Sequence, residues 1–165
     1  MDVTIRAMEQ RDWASVAAIF QEGIDLKTAT FHQEVLNYET WDAVHTPDCR
    51  LVAVLEDQVI GWTALSPYSS RKVYSGVAVV SIYIKSEYRG RKVGEKLLRA
   101  LIEESEKQGY WTLESGIFEA NRASIALHEK VGFRIVGYKE RIGKDNNGIW
   151  QNVVMMERRS RINGL

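Results

Sequence analysis

A chain of 165 residues, 45% of them hydrophobic, carries enough apolar material for one core and too little for two. Its 22 basic and 22 acidic side chains cancel to a formal net charge of zero, which excludes a broad electrostatic attraction to nucleic acid or anionic lipid. The single cysteine, Cys49, excludes an internal disulfide framework and fits a reducing compartment.

The stretch Met1 to Arg6 has no basic run leading into an apolar one, so no signal peptide is expected. No apolar run approaches the about 20 residues of a membrane span. A cytoplasmic protein without a membrane partner is the expectation. Val3 to Ala7 reads as a short strand. Asp12 is positioned to cap a helix in which Trp13, Val16, Ala17 and Phe20 form one apolar stripe, and Gly23 reads as its stop. Asn37 to His45 is expected to form a second short helix around Tyr38 and Trp41.

Cys49 has no sequence-local partner and reads as a small, partly buried apolar residue rather than a nucleophile. Leu51 to Leu55 and Val59 to Leu65 are apolar and β-branched, and the polar Glu56-Asp57-Gln58 between them makes a hairpin. Ser66 to Gly76 is a loop rich in Ser, Tyr and basic residues. Val77 to Ile84 is the most apolar strand and is therefore expected at the centre of the sheet. After the turn Tyr88 to Gly94, a helix carries Val93, Leu97, Leu98, Leu101 and Ile102 on one face and ends at Gly109. Trp111 to Phe118 reads as a strand, Asn121 to Lys130 as a helix with Gly132 at its C-cap, and Phe133 to Tyr138 as a strand. Asp145 to Gly148 is a turn before a closing strand, Ile149 to Met156. With no repeat, linker or low-complexity segment, this predicts one α/β (α+β) domain over residues 1–165, built on one mixed sheet.

The turn after the central strand carries the chemistry. A strand that passes through glycines into a helix aims several unpaired backbone N–H groups at one point, where the helix dipole is positive. Such a site binds phosphate. Gly90 and Gly94 allow a close backbone approach, and Arg89, Arg91 and Lys92 add positive charge. Gly90-Arg91-Lys92-Val93 lacks the Ser or Thr of a Walker motif, and the dinucleotide fingerprint is absent. On spacing alone, a phosphorylated cofactor and a plain strand-to-helix turn with solvated cations remain equal readings.

Ser81-Ile82-Tyr83-Ile84 followed by Tyr88-Arg89-Gly90-Arg91-Lys92-Val93-Gly94 resembles the acetyl-CoA motif of the GCN5-related N-acetyltransferases (GNAT). Asn121-Arg122-Ala123-Ser124, Leu127-His128-Glu129-Lys130 and Gly132-Phe133 resemble that family's second motif. Ala29-Thr30-Phe31, the loop Arg71 to Tyr74 and Gly148-Ile149-Trp150 resemble its phosphinothricin and methionine-sulfoximine acetyltransferase branch. The resemblance implies a GNAT fold with the central strand splayed from Trp111 to Phe118, and acetyl-CoA as cosubstrate with no metal. It implies a pantetheine arm paired to Ile82 and Ile84, along Ile82-Tyr83-Ile84. The pyrophosphate would rest on the N–H groups of Arg89, Gly90, Arg91, Lys92, Val93, Gly94 and Glu95. Asn121 and Ser124 would lie near the pantetheine. Direct attack by a small amino-acid-like amine follows, with the oxyanion held by a strand N–H near Ile82. A homodimer is implied as well.

The sequence departs from that family in three places. Lys92 stands where a second glycine is usual, and a negative φ is expected there so that lysine avoids strain. Val79 stands where relatives place a glutamate base, and Gln151 where some place a histidine; neither accepts a proton. Three routes remain for the amine proton: a water held by Ser81, Glu114 or Glu119 through water, or a substrate with enough neutral amine. His128 occupies the position of a tyrosine that protonates the leaving thiolate, so His128 and Ser81 are the candidate catalytic residues. For substrate, Arg71 can pair a carboxylate, with Tyr74 and Phe31 beside it. Trp150 reads as core. His32 and His45 show no metal-type spacing and read as ordinary surface or pocket residues. The alternatives are an acyl-CoA-binding sensor, a catalytically degenerate member, or a protein N-terminal acetyltransferase.

Overall fold

The computed structural model describes residues 1–35 and 37–165, and its seven strands form one sheet in the order β1-β2-β3-β4-β5-β7-β6. Strands β1 (Thr4–Ala7), β2 (Leu51–Leu55), β3 (Gln58–Pro67) and β4 (Val77–Ile84) pair antiparallel in chain order. Strand β5 (Thr112–Phe118) joins β4 in parallel. Strand β7 (Trp150–Arg159) lies between β5 and β6 (Arg134–Lys144), antiparallel to both. The β2–β3 turn is Glu56-Asp57, with φ of 49° and 64°; two positive values match the right-handed twist of the strands they join.

Helices α1 (Trp13–Asp25) and α2 (Tyr38–Val44) cover one face of the sheet, and α3 (Val93–Lys107) and α4 (Arg122–Lys130) the other. Strand alternation sorts the core. Val52, Trp62 and Ala64 pack with Val16, Ile19, Phe20 and Trp41, whereas Leu65, Ala78 and Val80 pack with Leu97, Leu98 and Leu101. Each such leucine is worth about 1.5–3 kcal/mol when fully buried. A bulge breaks the alternation: the register passes from Ala53↔Gly61 to Val54↔Val59, leaving Ile60 unpaired. Ile60 therefore packs on the α3 side, although it precedes Trp62 by two residues.

Four expectations change. Gly23 does not stop α1, which runs on to Asp25. A Cβ at residue 23 would lie 2.6 Å from Tyr83 Cδ1, so glycine is there to let α1 close on β4. Asp12 precedes α1 but makes no bond to it; its carboxylate accepts from Arg6 Nη1 at 2.7 Å, Arg6 Nη2 at 2.9 Å and Glu9 N–H at 2.8 Å. Strands β6 and β7 run to Lys144 and Arg159, longer than their composition suggests, because each pairs with the other through register irregularities at 135–137 and 139–143. Trp150 is 54% exposed rather than core, with Lys144 Nζ 5.1 Å from its ring centre. Asn37 does cap α2, accepting from Thr40 N–H at 2.9 Å.

Candidate functional site

Strand β4 is paired to β3 along its whole length, and β5 to β7 along its whole length. Among the described residues the β4–β5 ladder consists of Val77↔Thr112, Ala78↔Leu113 and Val79↔Glu114, with Trp111 and Thr112 N–H also donating to Gly76 O just before it. Beyond Val79 the recorded pairing ends, so Val80 to Ile84 offer an unpaired backbone edge toward a gap. Obligatory N–H and C=O groups on such an edge take a strand-like ligand readily.

The turn that follows sits at the mouth of this gap. Gly90 has φ of 73° with nothing within 4 Å of where a Cβ would be, so the backbone there is open to approach. Lys92 is left-handed at φ 65°, against the expected negative value. An L-residue there costs about 1–2 kcal/mol, which the turn into α3 imposes at that point. The first bond from the turn into α3 is Lys96 N–H to Lys92 O, so the N–H groups of Val93, Gly94 and Glu95 precede the helix ladder. A Cβ at Gly94 would lie 2.9 Å from Leu127 Cδ2; glycine lets α3 and α4 meet. Arg91 lies over the Tyr88 ring at 5.8 Å, and Arg89 Nε donates to Ile84 O at 3.3 Å. The Glu95 carboxylate is held low mainly by its hydrogen bond from Lys130, at 2.6 Å, and by Arg99 at 3.2 Å, so its charge is matched locally. A cationic, glycine-opened helix N-terminus beside a free strand edge suits a pyrophosphate joined to an amide-bearing arm.

On α4, Asn121 Oδ1 accepts from Ser124 N–H at 3.3 Å and caps the helix. His128 is 1% exposed. Its Nδ1 lies 2.7 Å from Ser124 O, so Nδ1 carries the proton, and Nε2 accepts from Ser115 Oγ at 3.1 Å. The Phe133 ring lies edge-on at 5.0 Å, and burial holds the imidazole below its ordinary pKa. Both nitrogens are thus committed to the packing of α4 on β5. The proton transfer to a thiolate expected of His128 finds neither ring nitrogen free in this arrangement.

On the opposite face, Val79, Ser81 and Tyr83 point toward α1 and α2 by alternation. Tyr83 stacks on Trp62 at 5.2 Å, so its side chain is core and only its backbone can reach the gap. A cavity of about 160 Å³ opens beside it, lined by Ser81, Ser66, Trp41, Trp62, His32 and His45 among others. The Ser81 carbonyl accepts from Thr63 Oγ1 at 2.8 Å. Phe31 packs on Phe118 at 4.6 Å and against Gly143, and Asn146 Nδ2 donates to His32 O at 2.8 Å. The α1–α2 loop is therefore tied to the β6–β7 turn. Gln151 holds that turn, donating to Asp145 Oδ2 at 2.7 Å. Arg71 and Tyr74 pair with each other, 5.5 Å from guanidinium to ring, outside the cavity wall. Glu114, across from Val79, is raised by burial. His32 and His45, ordinary surface or pocket residues by sequence, line the same cavity as Ser81, because the chain from α1 through the end of α2 folds over this face of the sheet. Cys49 is 4% exposed and burial pushes its thiol up to about 12, which removes it as a nucleophile. Among the described residues no group of three or more His, Cys, Asp or Glu could hold a metal ion, and no helix is long and apolar enough to cross a membrane.

Residues 13–133 match the Acetyltransferase (GNAT) family. The chain is 26% identical over 95% of its length to an L-methionine sulfoximine/L-methionine sulfone acetyltransferase of Pseudomonas aeruginosa, of which 94% is covered. It superposes with a TM-score of 0.90 on a phosphinothricin acetyltransferase from Sinorhizobium meliloti solved in complex with acetyl-CoA, at 26% identity over 99% of this chain and 91% of that one. A ribosomal-protein-alanine N-acetyltransferase from Brucella melitensis superposes with a TM-score of 0.87, at 28% identity over 95% of this chain and 99% of that one. The family model matches residues 13–133, most of the chain, and the chain therefore belongs to the GNAT family of acetyltransferases.

Proposed function

We propose that this protein transfers the acetyl group of acetyl-CoA to the amine of a small, amino-acid-like substrate. The observation that carries the reading is the β4–β5 gap, which opens beyond Val79 with the basic N-terminus of α3 at its mouth. Acetyl-CoA supplies a thioester acetyl. The N–H groups from Gly90 to Glu95 hold its pyrophosphate, the edge Ile82 to Ile84 pairs with its pantetheine amides, and Asn121 and Ser124 border that arm. A β4 N–H near Ile82 stabilises the developing oxyanion.

The amine enters from the opposite face, past Ser81. Its small size is favoured by the tie between the α1–α2 loop and the β6–β7 turn through Asn146 and Phe31, which narrows that entrance. A peptide N-terminus would need an open groove there, so the likeness to a ribosomal-protein-alanine N-acetyltransferase favours the fold more than that substrate. Phe31 forms part of the wall. Arg71, beside Tyr74, is the cation at hand for a substrate carboxylate. The exposed apolar side chains Ile135, Tyr138, Ile142 and Trp150 on β6 and β7 support a homodimer.

Thiol release over a panel of amino acids, methionine sulfoximine, phosphinothricin and short peptides tests this. Turnover of a free amino acid analogue above any peptide is expected. Peptide-only turnover, or acetyl-CoA binding with no transfer to any amine, overturns the reading in favour of the protein acetyltransferase or the sensor.

A further inference from the structure

We propose that His45 accepts the amine proton, in place of the carboxylate and histidine that Val79 and Gln151 lack. The proposal rests on the reading of an amine acceptor given above.

Position is the first argument. The residue after His45 is pinned to β3 by Thr46 N–H to Leu65 O at 2.8 Å. Leu65 pairs with Val80 and Ser66 with Val79. His45 thus lies at the level of β4 where the gap begins, on the face that carries Val79 and Ser81. The same cavity is lined by His45, Ser66 and Ser81. A base one strand away from the empty position 79 reaches the same amine.

The ring's state is the second. His45 Nδ1 lies 2.7 Å from Trp41 O, and a carbonyl only accepts, so Nδ1 carries the proton. The neutral ring's lone pair is then on Nε2, which has no hydrogen-bond partner among the described residues. The ring is stacked on Trp41 at 4.3 Å and meets Trp62 edge-on at 6.1 Å, so its orientation is fixed. This contrasts with His128, whose two nitrogens are both taken.

The charges around it keep it neutral. From the start of β2, Arg50 Nη2 donates to His45 O at 3.0 Å and its guanidinium pairs with Asp42 of α2. The α1–α2 loop brings His32 and Glu34 to the cavity, and β3 and β4 bring Trp62, Ser66 and Ser81, none of them charged. Burial is the main cause that holds the His45 pKa below its ordinary value, with the proximity of Arg50 and His32 acting in the same direction against the Trp41 bond. The imidazole is in its basic form at neutral pH.

The step balances without a further reactant. One ammonium proton passes to Nε2 and frees the nitrogen lone pair. The N–C bond to the acetyl carbonyl forms and the C–S bond breaks. The nitrogen's surplus proton and the proton taken by the departing thiolate exchange through solvent, and the imidazolium returns its own proton to water.

The test is His45→Gln assayed by thiol release across pH, beside His32→Gln and Glu114→Gln. In His45→Gln, kcat is expected to fall by about 100-fold or more, with the acidic limb of kcat/KM lost and acetyl-CoA affinity unchanged by calorimetry. The other two variants are expected to keep that limb. A kcat within about 3-fold of the parent with the limb intact, or a limb lost in Glu114→Gln instead, overturns the proposal. Should amino acids fail as acceptors while another primary amine is acetylated, the substrate reading falls and His45 is judged on that amine. Since Trp41 stacks on the ring, nitrogen NMR of the unaltered chain gives a second measurement. A His45 Nε2 resonance that moves on adding the acetylated amine, with His128 unmoved, supports the role; no movement overturns it.

Discussion

Val79 and Glu114 face each other as the last pair joining β4 to β5, and past them each strand stays bonded only to its outer neighbour. Beyond this pair the described part of β4 has a strand partner on the β3 side and none on the β5 side. Adding acetyl-CoA is therefore expected to slow amide hydrogen exchange within Ile82 to Ile84 and within Gly90 to Glu95, while β2 amides stay unchanged. Exchange read by mass spectrometry with and without the cosubstrate checks this. Equal protection in both segments would place the ligand elsewhere.

Lys92 holds a positive φ at the entry to α3. Lys92→Gly is expected to stabilise the free protein by about 1 kcal/mol, since glycine takes this conformation without the penalty. It should also weaken acetyl-CoA binding at low salt if the proposed pyrophosphate site is right, because one cation of that turn is gone. Thermal melting and calorimetry separate the two effects. A lower melting temperature would show that the lysine stem packs in a way the geometry does not suggest.

Gly23 is the point where α1 rests on Tyr83. Gly23→Ala raises helix propensity, yet its methyl would stand 2.6 Å from the Tyr83 ring and must displace it or the helix. Overpacking wins over propensity, with an expected loss of about 1–3 kcal/mol by denaturant melting. A stabilised variant would mean the ring moves freely.

His128 offers a way to tell packing from catalysis. His128→Leu strands the hydroxyl of Ser115 and removes the second donor to the helix carbonyl of Ser124, at a cost of about 1–3 kcal/mol. The pH profile of kcat at temperatures where the variant is folded is expected to match that of the parent. A lost alkaline limb would restore His128 as the thiolate's proton donor.

Stability should fall on acidification in two stages. Burial holds His32, His45 and His128 below 6.5, so the unfolded chain takes up protons that the folded chain refuses, and stability declines as pH drops below that value. Asp12, lowered chiefly by its hydrogen bond from Arg6, contributes above 3.8 and loses that contribution as pH falls further. Urea melts across pH measure the slope. His128→Leu should make the first stage shallower; an unchanged slope would remove His128 from it.

By itself the sequence determined what local chemistry determines. Apolar, β-branched runs marked β2, β3 and β4, the stripe of Val93, Leu97 and Leu101 marked α3, and Asn37 and Asn121 stood at the starts expected for α2 and α4, since each depends on residues within a few positions of each other. The glycines and cations from Arg89 to Gly94 marked a basic strand-to-helix turn for the same reason. Tertiary structure alone decided the rest. Gly23 is explained by Tyr83, Gly94 by Leu127, and the left-handed Lys92 by the approach into α3, all of them contacts or angles without a local signature. Strand β6 is mostly exposed, so composition marks only Phe133 to Tyr138, and pairing with β7 sustains it to Lys144. His128 and His45 read alike as isolated imidazoles. Packing of α4 on β5 saturated one, and the crossing of α2 over β3 left the other, with one nitrogen bonded to Trp41, in the wall of the cavity that Ser81 also lines, because a side chain's chemistry is set by which groups the fold leaves it to meet.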